Sequence, residues 1–139
     1  MSQIDLNGLS TEKRNPETMN LDEMEIEDIL AVMNREDEKV VRIVGGVLPK
    51  VAEIIGFTTE SLKRNGRIIY IGAGTSGRLG HLHAAECPPT FGVSSEVVVG
   101  VIAGGERAFL KAVEGAEDNE ALGAEDLKEL GVDERDTVI

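Results

Sequence analysis

Between residues 67 and 80 the hydrophobic period changes abruptly. Arg67-Ile68-Ile69-Tyr70-Ile71 is a short β-branched run, Gly72-Ala73-Gly74-Thr75-Ser76-Gly77-Arg78 follows without a break, and a helical pattern begins near Ser76. A strand that feeds through glycines into a helix is half of a β-α-β unit, and such units build parallel sheets with right-handed crossovers. The later chain repeats the alternation. Val97-Val98-Val99-Gly100-Val101 reads as a second buried strand, Gly104-Gly105 as a turn, residues 106–114 as a helix closed by Gly115, residues 118–130 as another helix, and Thr137-Val138-Ile139 as the start of a third strand. The helix that opens at Ser76 reads as stopping near Glu86, because Pro88-Pro89 follows.

Upstream, Ile26, Ile29, Leu30 and Met33, then Val40, Val41, Val44 and Val47, recur at helical spacing. Pro49 opens a further helix, and Lys63-Arg64-Asn65-Gly66 closes it, with Gly66 in the left-handed capping position. Residues 1–20 show no sustained period and read as an extended arm. The expected class is α/β: a doubly wound parallel sheet flanked by helices in three layers, preceded by an amino-terminal helical region. The expected division is 1–48 for the arm and helical region and 49–139 for the sheet domain. Three strands, the last only begun, leave the sheet incomplete, which predicts a truncated chain or one that needs a partner.

Composition supports this class. Aromatic residues make up only 3% of the chain against 41% hydrophobic residues overall, so the core is built from aliphatic side chains, the usual material of covered parallel sheets. Fourteen Lys and Arg against 26 Asp and Glu give a net charge of −12, which argues against nucleic acid or an anionic membrane as partner. A small phosphorylated ligand remains compatible, because backbone N–H groups hold a phosphate whatever the global charge. Cys87 is the only cysteine, and the first residues lack the basic start and apolar run of a signal peptide, so a soluble cytoplasmic protein is expected.

The glycine loop is the candidate binding site. Gly72-x-Gly74-x-x-Gly77 fits a dinucleotide fingerprint, but no acidic residue closes the second strand to hold a ribose, and no Gly-Lys-Ser or Gly-Lys-Thr occurs for a nucleotide P-loop. Two hydroxyls, Thr75 and Ser76, and several free N–H groups converge where a helix dipole is positive, which suits a phosphate monoester. Gly74, Thr75, Ser76, Gly77 and Arg78 are therefore the expected phosphate-binding residues. The plainer reading has Ser76 as an N-cap, the glycines as a tight turn and Arg78 facing solvent or a partner subunit. His81, His83 and Cys87 lack the spacing of a metal site, and none is expected.

Beyond the loop, Glu86-Cys87-Pro88-Pro89-Thr90-Phe91-Gly92, Ile102-Ala103-Gly104-Gly105-Glu106 and Val113-Glu114-Gly115-Ala116-Glu117-Asp118 occur in order, with Thr11-Glu12-Lys13-Arg14-Asn15-Pro16 upstream. With these motifs the sequence resembles the N-acetylmuramic acid 6-phosphate etherase family, over about the first half of a family member. The chain departs from the family's commonest pattern at His83 and Ala85. The resemblance implies the SIS (sugar isomerase) fold, a phosphorylated amino sugar as substrate, and a lyase reaction in cell-wall recycling without metal or organic cofactor. It further implies two catalytic carboxyl groups, Glu86 and Glu117. Their positions on helices favour Glu86, at a helix C-terminus, as the acid and Glu117, before a helix N-terminus, as the base. A regular helix from Ser76 to Glu86 spans about 15 Å, more than a sugar phosphate bridges between C6 and C3, so either the helix ends early or bends, or a homodimer shares its sites. The alternative function is a non-catalytic phosphosugar-binding regulatory module, or an inactive fragment.

Overall fold

The computed structural model describes residues 13–139. The residues divide into two compact units, one up to Pro49 and one from Lys50 to Ile139. The first is built on α1, Ile26–Gly46, preceded by short 3-10 turns at Pro16–Thr18 and Leu21–Glu23. Residues 16–23 are thus turned rather than extended; the rest of the expected arm, residues 1–12, lies outside the described residues. The physical reason is local. The Asn15 side chain accepts the Glu17 N–H at 3.0 Å and Pro16 brings a helical φ to the first position of the turn. Arg35 and Lys39 of α1 reach Glu17, as exposed ion pairs that contribute little. Val32 is the buried side chain of α1, while Ile26, Leu30, Met33, Val40, Val41 and Val44 are exposed.

The second unit takes in all but the first two residues of α2, Leu48–Lys63, and holds three parallel strands: β1, Ile68–Gly72; β2, Val98–Ile102; and β3, Thr137–Val138. Their order is β2-β1-β3, with Ile68 opposite Val98 on one side and Thr137 on the other. The central strand carries Ile69, which is fully buried. β1 leads to β2 through α3, Gly74–Phe91, which packs on both strands, and β2 leads to β3 through α4, Arg107–Leu110, and α5, Glu120–Glu129. This is a three-stranded, incomplete version of the expected α/β architecture. No helix among the described residues is long and apolar enough to cross a membrane.

Several helix ends differ from expectation. α2 closes with Asn65, not Gly66, in the left-handed conformation at φ 57°, while the Gly66 N–H bonds to the Ser61 carbonyl at 2.8 Å. Asn tolerates this region, and Gly66 is required instead because a Cβ there would lie 2.0 Å from the Arg135 carbonyl oxygen. Pro88 and Pro89 do not stop α3. Their φ is compatible with a helix and only the hydrogen bonds to the Ala84 and Ala85 carbonyls are lost, so the helix runs on to Phe91 and closes at Gly92, φ 66°. The helix expected over 106–114 is the single turn α4, for a reason that lies in its contact with α3, described below.

Charge and hydrogen bonds fasten β3. Arg67 donates its backbone N–H to Asp136 at 2.7 Å and its guanidinium to both Asp136 carboxylate oxygens, and it also bonds the Leu130 and Gly131 carbonyls. The Ser61 and Thr137 hydroxyls meet at 2.6 Å beside this pair. The Asp136 side chain is only 3% exposed, and the Arg67 guanidinium holds its carboxyl below the ordinary carboxylate range. Nearby, Arg135 pushes the more exposed Asp133 to about 2.

Asp136→Asn therefore leaves Arg67 half-buried without its counter-charge, and is expected to cost about 2–3 kcal/mol of stability at neutral pH in urea denaturation. Because the folded carboxyl titrates below its unfolded value of about 4, the native pair's contribution is complete above that pH and is lost as pH falls through the folded value. The Asn variant should lack this part of the acid-induced loss of stability.

Candidate functional site

The turn between β1 and α3 is made by close approach of backbone. β1 ends at Gly72, Ala73 caps the helix in an extended conformation, and α3 begins at Gly74 with φ 53°. A Cβ on Gly77 would stand 2.4 Å from the Gly72 carbonyl oxygen and 2.8 Å from Ile102 Cγ1, so only glycine lets the first turn of α3 lie against both strands. Above Gly74 there is open space. Ser76 is not the N-cap, and no side chain caps this helix. Instead Thr75 and Ser76 occupy the first turn, exposed, among N–H groups that have no intrahelical acceptor. That is an anion-binding arrangement.

Beside this turn, at the carboxyl ends of β1 and β2, lies a cavity of about 370 Å³ floored by Gly72, Ala73 and Ala103. Its other wall is the segment leading into α5, with Glu117, Asp118, Asn119 and Glu120, and Asp126 nearly two turns further on. Asn119 fixes that entry, because its side chain accepts the Leu122 N–H at 3.2 Å. Ala116, the residue before Glu117, is buried and anchors this segment. A crevice at the carboxyl ends of parallel strands is where open α/β sheets bind ligands.

The fold thus brings Glu117 next to the glycine turn. It does not bring Glu86 there. Glu86 is exposed on α3 and does not line the cavity. Because α3 continues to Phe91, Glu86 also lies more than a turn inside the helix, which corrects the expectation that it sits at the C-terminus; the macrodipole acts mainly on the last turn. The helix does not end early, and a regular helix from Ser76 to Glu86 rises about 15 Å. Arg78, expected at the phosphate, has its guanidinium on the carbonyls of Phe109 and Ala108, each at 2.8 Å. The lining acids Asp118, Glu120 and Asp126 were not among the expected site residues; Asp118 and Glu120 flank the N-cap Asn119, which was a signal for them, whereas Asp126 lies further along α5. His81 and His83 pack against rings, of Phe109 and Tyr70 respectively. Among the described residues no three His, Cys, Asp or Glu side chains are grouped to hold a metal ion.

A family model described as the glucokinase regulatory protein N-terminal SIS domain matches residues 50–139. This chain belongs to the SIS-domain family. Among curated relatives of this SIS chain, proteins named N-acetylmuramic acid 6-phosphate etherase from Staphylococcus saprophyticus and Bacillus mycoides are 58% and 56% identical over 134 residues, 96% of the chain. One of the same name from Clostridium beijerinckii is 52% identical over the whole chain. The SIS chain spans about half the length of these relatives, 45% to 46%, and corresponds to their amino-terminal half.

Gly77→Ala is expected to lower stability by about 1–3 kcal/mol, since backbone rather than a flexible side chain opposes the added methyl. Gly45→Ala, in α1 with nothing within 4 Å, should raise it by about 0.5–1 kcal/mol. Thermal unfolding of the two variants checks both signs.

Proposed function

We propose that this chain carries the phosphate-binding and proton-abstracting part of a lyase that removes D-lactate from N-acetylmuramic acid 6-phosphate, leaving N-acetylglucosamine 6-phosphate. The observation that supports it is the adjacency of the glycine turn and Glu117 across one cavity, in a chain half identical to proteins of that name. Gly74, Thr75, Ser76 and Gly77 take the 6-phosphate. Binding at this remote group then holds C2 and C3 where Glu117 can act.

The chemistry needs two carboxyl groups in opposite protonation states and neither metal nor organic cofactor. Glu117 takes the C2 proton, the electrons of that C–H bond expel the lactate oxygen from C3, and a neutral Glu86 gives that oxygen its proton. Water then adds across the double bond. Glu86 acts from a second subunit, in a homodimer with shared sites. The length of α3 supports this, since about 15 Å separate Glu86 from Ser76 on one chain. The net charge of −12 supports a small ligand rather than nucleic acid or an anionic membrane surface. The reaction serves cell-wall recycling in the cytoplasm.

One observation favours a second reading, a non-catalytic phosphosugar-binding module: Glu86 does not line the cavity with Glu117. Lactate release from the phosphorylated substrate separates the two. The lyase reading expects release, at least 100-fold slower in Glu117→Gln, with solvent exchange of the C2 proton lost as well. Glu86→Gln should block release and spare that exchange. No release and no exchange by the unaltered chain would leave the binding module.

A further inference from the structure

From the end of β2 to the start of α5, residues 103–119 contain one turn of helix, α4, and three glycines of positive φ, Gly104, Gly105 and Gly115. So loosely built a segment needs fastening if Glu117 is to hold one place. Two residues a turn apart on α3 supply it. His81 lays its ring against Phe109, centroids 5.9 Å apart, and Arg78 sends Nε to the Phe109 carbonyl and Nη2 to the Ala108 carbonyl. Ala108 itself is buried, and Gly104 closes over it and Val113.

The two carbonyls are the acceptors that the N–H groups of residues 112 and 113 would take if α4 continued. The guanidinium fork serves them instead, and the chain leaves the helix at Lys111 in an extended conformation, φ −136° and ψ 138°. This accounts for the shortness of α4. We propose that Arg78 is a positioning residue: it ends α4 and so sets where residues 111–119 return to the cavity, holding Glu117 against the phosphate turn without touching the phosphate. The consequence for catalysis rests on the lyase reading; the clamp itself does not. Lysine is no substitute, because one ammonium does not match two successive carbonyls as a planar fork does.

Hydrogen exchange on the full chain tests this, with Arg78→Met and Arg78→Lys beside the unaltered protein. Both variants should exchange amides of residues 106–118 at least fivefold faster, with β1 and the first turns of α3 unchanged. Their affinity for inorganic phosphate should stay within twofold, and for lactate release kcat should fall at least tenfold with KM within twofold. Unchanged exchange of residues 106–118 in either variant would overturn the proposal. So would a tenfold loss of phosphate affinity in Arg78→Met that Arg78→Lys restores, since a phosphate ligand needs only the charge. Absence of lactate release by the unaltered chain would sink the lyase reading alone, and the exchange of residues 106–118 would still decide for or against the clamp.

Discussion

At three points α3 and the sheet meet where a Cβ would intrude. Gly77 faces the Gly72 carbonyl, Gly80 faces Tyr70, and Gly100 of β2 faces the backbone of His81, each with an added Cβ at less than 3.0 Å. A helix seated this deeply is set by backbone against backbone at Gly77 and Gly100 and by the Tyr70 Cβ at Gly80, atoms that no change of rotamer moves aside. The position of the first turn of α3, with its free N–H groups, follows from that seating. So does the reach of Arg78 and His81 to α4, and through α4 the position of the segment that carries Glu117.

The rest of the second unit is lightly buried. Ile69, Cys87, Val98, Ile102, Ala108 and Ala116 are its buried apolar residues, while Val138 and Ile139 at the sheet's other side are about half exposed. With so little apolar burial around β3, the strand depends on polar fastening by Arg67, Asp136, Ser61 and Thr137. Breaking a half-buried ion pair by removing one member is costly even where forming it gains little, so the Arg67–Asp136 pair matters more for holding β3 than for total stability.

Much of this arrangement was legible in the sequence. The β-branched runs, the glycine turn and the alternation of periods gave the parallel sheet and its helices, because strand and helix periods are local signals. What was not legible depended on partners distant in the chain. Nothing near residue 110 announces that α4 stops there; the arginine that satisfies its carbonyls is more than thirty residues upstream. Asn65 and Gly66 exchanged roles because Arg135 crowds Gly66. Pro88-Pro89 reads locally as a stop, yet α3 passes through both, held by its packing on β1 and β2. For the site, Glu117 reads as lying just before a helix because Asn119 caps α5, whereas Glu86 reads as a helix end from Pro88-Pro89, which α3 passes through.

On the proposed function, the first turn of α3 is a phosphate site shaped for a 6-phosphosugar. Its most direct test is a nuclear magnetic resonance titration of the chain with N-acetylglucosamine 6-phosphate and, separately, with the unphosphorylated sugar. The claim predicts saturable shifts of the Gly72–Gly77 and Glu117 amides with the first ligand and none with the second. Equal shifts with both sugars, or shifts that leave residues 72–77 untouched, would contradict it.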